Sequence, residues 1–536
     1  MGKQNKYKTL LNNTLLISLG TFGSKILTFL MVRFYTGVLT PSDYGTADLI
    51  IQTANLLLPV ISMGMAEGVF RFALSHPRGR RSVFSVGVYT ITAGALLFLI
   101  IAPLLSLVKT FDGYIWLIIF FTVASCYHSL CAQFVRAEGK TALFAGQGVL
   151  NTALVIGLNI LFLLVFKLGI TGYVLSIALA DVLCTAYLVF KEKLFGYIIL
   201  HPSHNAFRDM FKYSIPLIPT TIFWWITSVS DRYMVNGFLG EGANGLYAVA
   251  YKIPTLLTLL SSVFLEAWQF SAVSESTGSR REHIKFYSQI WRSFQAVMIL
   301  AGSVVVAFSK FEISILSTPH YYDAWQYVPL LTMSMVFASF VTFMGSVYMV
   351  TKKSTLSFWT AMAGAVLNVL LNLLLIPSPL GVQGAAIATV ASYLLSFIMR
   401  IVSAHKLIPF KLYLGRLTVS MLIFTVQTIY IVCDFPNWML VQAICVIALI
   451  IINVKPLILA ALKILSRGSG EKKPQPQTNV SVRSESSGRT PRQPHQNSYK
   501  MGQYGNTSRQ KSTDDRLNNS RYGNIPHRQF NDYRRR

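Results

Sequence analysis

The sequence predicts an all-α polytopic membrane protein with about fourteen transmembrane helices. Three observations carry that prediction. Of the 536 residues, 53% are hydrophobic and 13% charged, where a soluble globular domain averages about 25% charged. Mean hydropathy is +0.50. Up to about residue 465 the chain is a series of long apolar runs, and its cations fall between alternate runs.

In order, the runs span about 11–38, 44–72, 83–108, 114–135, 142–167, 169–190, 213–238, 244–273, 286–308, 325–350, 355–377, 383–404, 413–433 and 437–462. Each can cross the hydrocarbon as a tilted helix. Only helices or closed barrels satisfy their backbone in lipid, and runs of this length exclude strands. The pairs 142–167/169–190 and 413–433/437–462 are the least clearly separated; merging them gives a count of twelve or thirteen. The first run is too long for a cleaved signal peptide and is interrupted by Asn12, Asn13 and Lys25.

Charge tests the count independently. With Lys3, Lys6 and Lys8 in the cytoplasm, the following cytoplasmic loops carry Arg78, Arg80 and Arg81; Arg136 and Lys140; Lys191, Lys193, Arg208 and Lys212; Arg280, Arg281 and Lys285; Lys352 and Lys353; and Lys406, Lys411 and Arg416. The outer loops carry only Lys109, Lys167 and Lys310. Basic residues mark cytoplasmic loops, so an even count and two cytoplasmic termini follow.

From Ser466 to Arg536 aliphatic residues become sparse, and the segment reads as a disordered basic cytoplasmic tail. Its 15 Lys+Arg and 5 Asp+Glu give +10 of the formal +26. Anionic inner-leaflet lipids are the partner its charge suggests. Nucleic acid is not expected, since no folded recognition module accompanies the arginines. Cys126, Cys131, Cys184, Cys433 and Cys445 form no CxxC pair and read as small hydrophobes.

The body is duplicated. Leu168-Gly169-Ile170-Thr171-Gly172 is echoed by Leu380-Gly381-Val382-Gln383-Gly384. Asn151 and Asn159 are echoed by Asn368 and Asn372. Arg33, Phe34, Gly37, Leu39 and Gly45 are echoed by Arg232, Tyr233, Gly237, Leu239 and Gly245, and Glu67 by Glu266. The unit holds six runs, so the halves share one orientation, a transporter architecture with the substrate path at the repeat interface. The units are 1–212 and 213–412, followed by two added helices over 413–465 and the tail.

Leu39-Thr40-Pro41-Ser42-Asp43-Tyr44-Gly45, Ser230-Asp231-Arg232-Tyr233 and Gly245-Leu246-Tyr247-Ala248 with Tyr251-Lys252-Ile253-Pro254 resemble the first turn, seventh span and eighth span of the oligosaccharide flippases. That family lies within the multidrug/oligosaccharidyl-lipid/polysaccharide exporter superfamily. The resemblance covers residues 5 to about 460. It implies a flippase of the cytoplasmic membrane that moves an undecaprenyl-pyrophosphate-linked oligosaccharide for cell-surface polysaccharide synthesis, by alternating access of two lobes. It also implies polysaccharide-synthesis proteins as partners. The neighbouring readings are a lipid II flippase and a cation-coupled drug exporter. Different classes are a scaffold of a synthesis complex and a membrane glycosyltransferase; the latter would need an acidic pair on sizeable outer loops.

Ionised residues inside runs are costly and supply the site candidates: Lys25, Arg33, Asp48, Glu67, Arg71, Asp231, Arg232, Lys252 and Glu266. The cations would meet a pyrophosphate. The acids would neutralise them or carry a coupling proton or Na+. The structural alternative is snorkelling and helix-locking pairs. Trp224, Trp225, Tyr233 and Tyr247 are candidates for sugar stacking or for an interfacial aromatic belt. Gly139-Lys140-Thr141 lacks the upstream glycine of a phosphate loop, Phe134 standing there, so no bound cofactor and no ATP-driven step are expected. Catalytic motifs such as HExxH and GxSxG are absent.

Overall fold

The structure, a computed structural model, describes residues 23–75, 79–274, 280–351 and 353–468. These residues are almost entirely helical and contain no strand. The N-terminal lysines, Arg78, Lys352 and the tail beyond residue 468 lie outside the described residues.

Each apolar run is one helix or a broken pair. Helix α1 covers 23–38. It is followed by α2 (Pro41–Ile61), α3 (Met65–Ser75), α4 (Arg80–Ile101), α5 (Ile115–Ala137), α6 (Thr141–Ile160) and α7 (Gly169–Lys191). After α8 (His204–Ser214) come α9 (Ile218–Leu239), α10 (Glu241–Lys252), α11 (Thr255–Ser274), α12 (Arg280–Leu316) and α13 (Val328–Val350). The last are α14 (Ser354–Leu375), α15 (Val382–Leu407), α16 (Leu414–Val432) and α17 (Trp438–Gly468). Among the described residues eleven helical segments are long and apolar enough to cross a membrane, with α10 and the start of α11 counting as one, or twelve if α2 and α3 form one bent span. The described part of α1 is short, and α9 carries Asp231 and Arg232; neither enters that count.

Local chemistry sets the breaks. Thr40 and Asp43 cap α2 reciprocally, with Pro41 in its first turn. The chain leaves α2 through Met63 and Gly64, both at positive φ, and resumes as α3 at a 48° bend. Pro254, which can donate no backbone hydrogen bond, divides α10 from α11. A π-turn over Leu161–Val165 ends the fifth run. Helix α8 falls where the sequence reads as a loop. It is short and amphipathic, and it packs on α3 and α4.

The sequence echoes have structural counterparts. Gly169 and Gly381 both take left-handed φ, +56° and +52°, a region glycine enters without a Cβ penalty. Helix pairs recur: α5 packs on α7 as α13 does on α15, α6 on α7 as α14 on α15, and α3 on α5 as α11 on α13. Helices α16 and α17 pack on α12. In the second half Trp291, Phe294, Phe340, Phe343 and Phe397 form one aromatic core, with Trp291 1% exposed or less. Four cysteines are buried; Cys433, at the α16–α17 turn, is exposed.

Candidate functional site

The two halves meet closely where α2 crosses α10. Asn244 Nδ2 donates to the Gly45 carbonyl at 2.9 Å, and Ser42 Oγ donates to Glu241 Oε2 at 2.8 Å. A Cβ on Gly245 would fall 1.8 Å from the Pro41 carbonyl oxygen, and one on Gly45 2.2 Å from that of Glu241. Both positions therefore require glycine. Tyr321 and Thr318, which follow α12, donate to the carbonyls of Leu39 and Thr36 at 2.9 and 2.7 Å.

The duplicated arginines both reach across this seam. Arg232 on α9 donates to Asp48 on α2, with Nη1 2.6 and 2.5 Å from the two carboxylate oxygens. Arg33 on α1 donates to the carbonyls of Ser314, at 3.3 Å, and Ser317. Arg232 also lies 4.7 Å from the Tyr251 ring. Its neighbour Asp231 accepts from Tyr247 at 2.5 Å and from Thr389 at 3.1 Å. Beside it, Asn368 Oδ1 accepts from Ser230 at 2.9 Å and Asn372 at 3.0 Å. Asp48, Asp231 and Arg232 are all buried. Their charges are engaged with protein groups.

Two other predicted cations face open space together. A cavity of about 550 Å³ is lined by α1, α2, α6, α7, α10 and α11, and Lys25 and Lys252 both face it. Thr28, Gln147, Thr152, Thr255 and Thr258 add polar groups, and Tyr35, Tyr44 and Tyr173 add aromatic ones. Among the described residues, none that lines it is acidic. A second cavity of about 470 Å³ shares Thr255 and Thr258 with it and is lined in addition by Trp224 and Tyr393, whose rings are stacked at 6.4 Å. A third, of about 540 Å³, lies between the α2–α3 bend, α9 and α13; Glu67, Tyr348 and Ser357 line it.

Arg71 sits over the Tyr213 ring at 4.2 Å and makes no ion pair with Glu67 among the described residues. The Glu266 side chain lies outside the described residues. Trp225 Nε1 donates to the Gln52 carbonyl at 3.2 Å, and the Tyr233 hydroxyl lies 2.7 Å from that of Thr53. Tyr247 is buried on Asp231. Of the four sugar-stacking candidates, Trp224 lines a cavity. Among the described residues no cluster of three or more His, Cys, Asp or Glu could hold a metal ion.

Sequence reasoning missed two buried groups. Asp181 on α7 accepts from Ser125 at 2.5 Å and Asn151 at 2.8 Å and lies 3.0 Å from His128 Nδ1; Gln147 joins His128 to the lysine cavity. Arg400 on α15 is 3% exposed. The echo of Asn151 by Asn368 pointed to the first. The isolated cation near the end of its run was the only signal for the second.

Comparison with known proteins agrees with this architecture. Residues 10–270 match the family described as polysaccharide biosynthesis protein. An uncharacterised membrane protein of Methanocaldococcus jannaschii is 25% identical over 259 residues, 45% of this chain and 59% of that protein; the match thus spans little more than half the relative's length. The lipid II flippase MurJ in an inward closed conformation superimposes with a TM-score of 0.64 at 16% identity, covering 85% of this chain and 99% of that one. A multidrug resistance MATE family transporter of the MOP superfamily, outward-facing, gives 0.56 at 14% identity, covering 75% and 96%. Its inward-facing form gives 0.56 at 15%, covering 72% and 95%.

Proposed function

We propose that this chain, whose residues 10–270 match the polysaccharide biosynthesis family and whose fold resembles those of MurJ and a MATE transporter, moves an undecaprenyl-pyrophosphate-linked oligosaccharide across the cytoplasmic membrane. It acts as a transporter and not as an enzyme. One observation carries this reading: Lys25 and Lys252 line one cavity in which no described lining residue is acidic. Two ammonium groups at membrane depth need compensation, and a pyrophosphate supplies it with oxygens for both. Threonines and tyrosines around them suit hydroxyl-rich or phosphate groups. The lipid tail stays in the bilayer between helices.

The two halves, 1–212 and 213–412, are the moving lobes. The seam at Gly45 and Gly245 closes the outer end in this state, and the lobes rock about the cavity to open it. A proton or Na+ gradient drives the cycle. Both termini lie in the cytoplasm, where the basic tail meets anionic lipids and polysaccharide-synthesis proteins.

The test is substitution of the two lysines with transport and stability measured together. Lys25→Ala and Lys252→Ala should each melt close to the parent protein, because neither ammonium forms an ion pair among the described residues. Transport in a flippase-null strain should fall at least about tenfold, or ~1.4 kcal/mol of head-group recognition, and Lys25→Arg should retain more activity than Lys25→Gln. Full transport by a stable double variant would remove this reading.

A further inference from the structure

Arg400 is a buried cation that the proposed transport cycle has not used. It lies in α15, and no ion pair among the described residues includes it. Its contacts are neutral: Nε donates to Thr360 Oγ1 at 3.0 Å, Nη1 to the Val341 carbonyl at 2.9 Å, and Nη2 to Ser357 Oγ at 3.0 Å. A guanidinium has five N–H groups, so these bonds leave two for another acceptor. Trp224 and Tyr348 present ring faces 4.9 and 5.5 Å from it.

These contacts tie α13, α14 and α15 together, but a neutral amide could do that without burying a charge. Position explains the charge better. Gly345, Tyr348 and Ser357 are Arg400 neighbours that line the third cavity. Trp224, its neighbour on the other side, lines the second. The second cavity in turn shares Thr255 and Thr258 with the lysine cavity. The guanidinium therefore stands between the walls of two cavities, and the second of these adjoins the cavity of Lys25 and Lys252.

We propose that Arg400 is a second anion site, which takes a phosphate of the lipid-linked substrate between the third cavity and the lysine cavity. A planar fork with free donors, backed by two aromatic faces, suits a tetrahedral oxyanion. Glu67, which lines the third cavity, opposes settling of an anion there and favours onward movement. The inference rests on the anionic substrate proposed above.

Inorganic pyrophosphate, compared with sodium chloride at equal ionic strength, is the probe. Its effect on melting of the full-length protein in detergent, and its affinity by calorimetry, are measured for the parent, Lys25→Ala/Lys252→Ala, Arg400→Gln, Arg400→Lys and the Lys25→Ala/Lys252→Ala/Arg400→Gln triple variant. The double-lysine variant should keep a pyrophosphate response that Arg400→Gln abolishes. Arg400→Lys should bind about tenfold more weakly, having lost the fork. If Arg400→Gln does not fold, Gly345→Ala replaces it: a Cβ there would lie 2.5 Å from Nη1 and must displace the guanidinium, so its binding should weaken. A parent response that vanishes in the double-lysine variant overturns the inference while leaving the lysine cavity in place. So does a response indifferent to Arg400→Gln or, in a folded protein, to Gly345→Ala. Failure of the lysine reading has another signature: parent and double-lysine variant respond alike, and Arg400→Gln silences both.

Discussion

Gly45 and Gly245, 200 residues apart in the chain, present bare main chain to each other: a Cβ on Gly45 would lie 2.8 Å from the Gly245 amide nitrogen. Their surroundings in the sequence echo each other, Gly37, Leu39 and Gly45 being matched by Gly237, Leu239 and Gly245. Each half thus contributes the same small residue to the seam, which lets two helices approach with no side chain between them.

Gly245→Val should hold that seam open, because the atoms it meets are backbone and have no rotamer to change. A Ser42→Cys/Glu241→Cys pair, at positions whose side-chain tips now meet at 2.8 Å, should be linked by a short bifunctional thiol reagent in the otherwise unaltered protein, since cysteine is shorter than glutamate and a direct disulfide needs closer Cβ atoms. Added Gly245→Val should suppress the link and lower transport. Equal cross-linking in both backgrounds would mean that the seam yields elsewhere.

The Asp48–Arg232 pair should behave as a structural lock. Removing one partner strands a buried charge, at a cost of about 3–5 kcal/mol. Asp48→Asn and Arg232→Gln should each lower abundance and melting temperature, whereas the double variant should recover much of both. Additive losses would show that the two residues act separately.

Topology offers a third test. Cysteines at Arg81 and Lys353 should react with an impermeant thiol reagent from the cytoplasmic side, and one at Ser42 from the outer side, as the alternation of basic loops requires. Labelling of all three from one side would dismantle the orientation and the parallel repeat with it.

A polar cluster joins the α5–α6 turn to the end of α7. Lys140 bonds Glu138 at 2.8 Å and also Glu192, and Tyr197 donates to Glu138 at 2.8 Å. Partial burial pulls the Lys140 pKa down, but its bonds to the two glutamates outweigh that and leave it raised. A raised lysine pKa contributes stability below its ordinary value near 10.5, and the contribution disappears as pH climbs through the raised value. The stability difference between the parent and Lys140→Met should therefore be flat from about pH 6 to 9 and shrink only in strong alkali. A change with pH near neutrality would assign the cluster a different titrating group.

Much of the fold is legible in the sequence because a bilayer demands long apolar helices and marks their ends with charge. The breaks at Met63–Gly64 and Ile253–Pro254 are less so: both lie inside unbroken apolar runs, where hydropathy is blind to backbone geometry. Helix α8 was missed for the opposite reason. Its apolar residues are too few for a span, and only their helical spacing marks them. At the site, the sequence nominates Lys25, Lys252, Arg33 and Arg232 together, as cations inside apolar runs. Only the folded chain separates the two lysines, which share a cavity, from Arg33 and Arg232, which bridge the halves. Residue type could not make that distinction, because it depends on which helix each side chain meets.

Cys433 gives this chain a built-in topological reporter. The other four thiols are packed between helices, while this one sits at the turn joining the last two. A maleimide probe applied to intact cells should modify the unaltered protein at Cys433 before any engineered position is introduced. Every labelling measurement on this protein therefore carries an internal reference at this one turn, and a cysteine-free background would discard it.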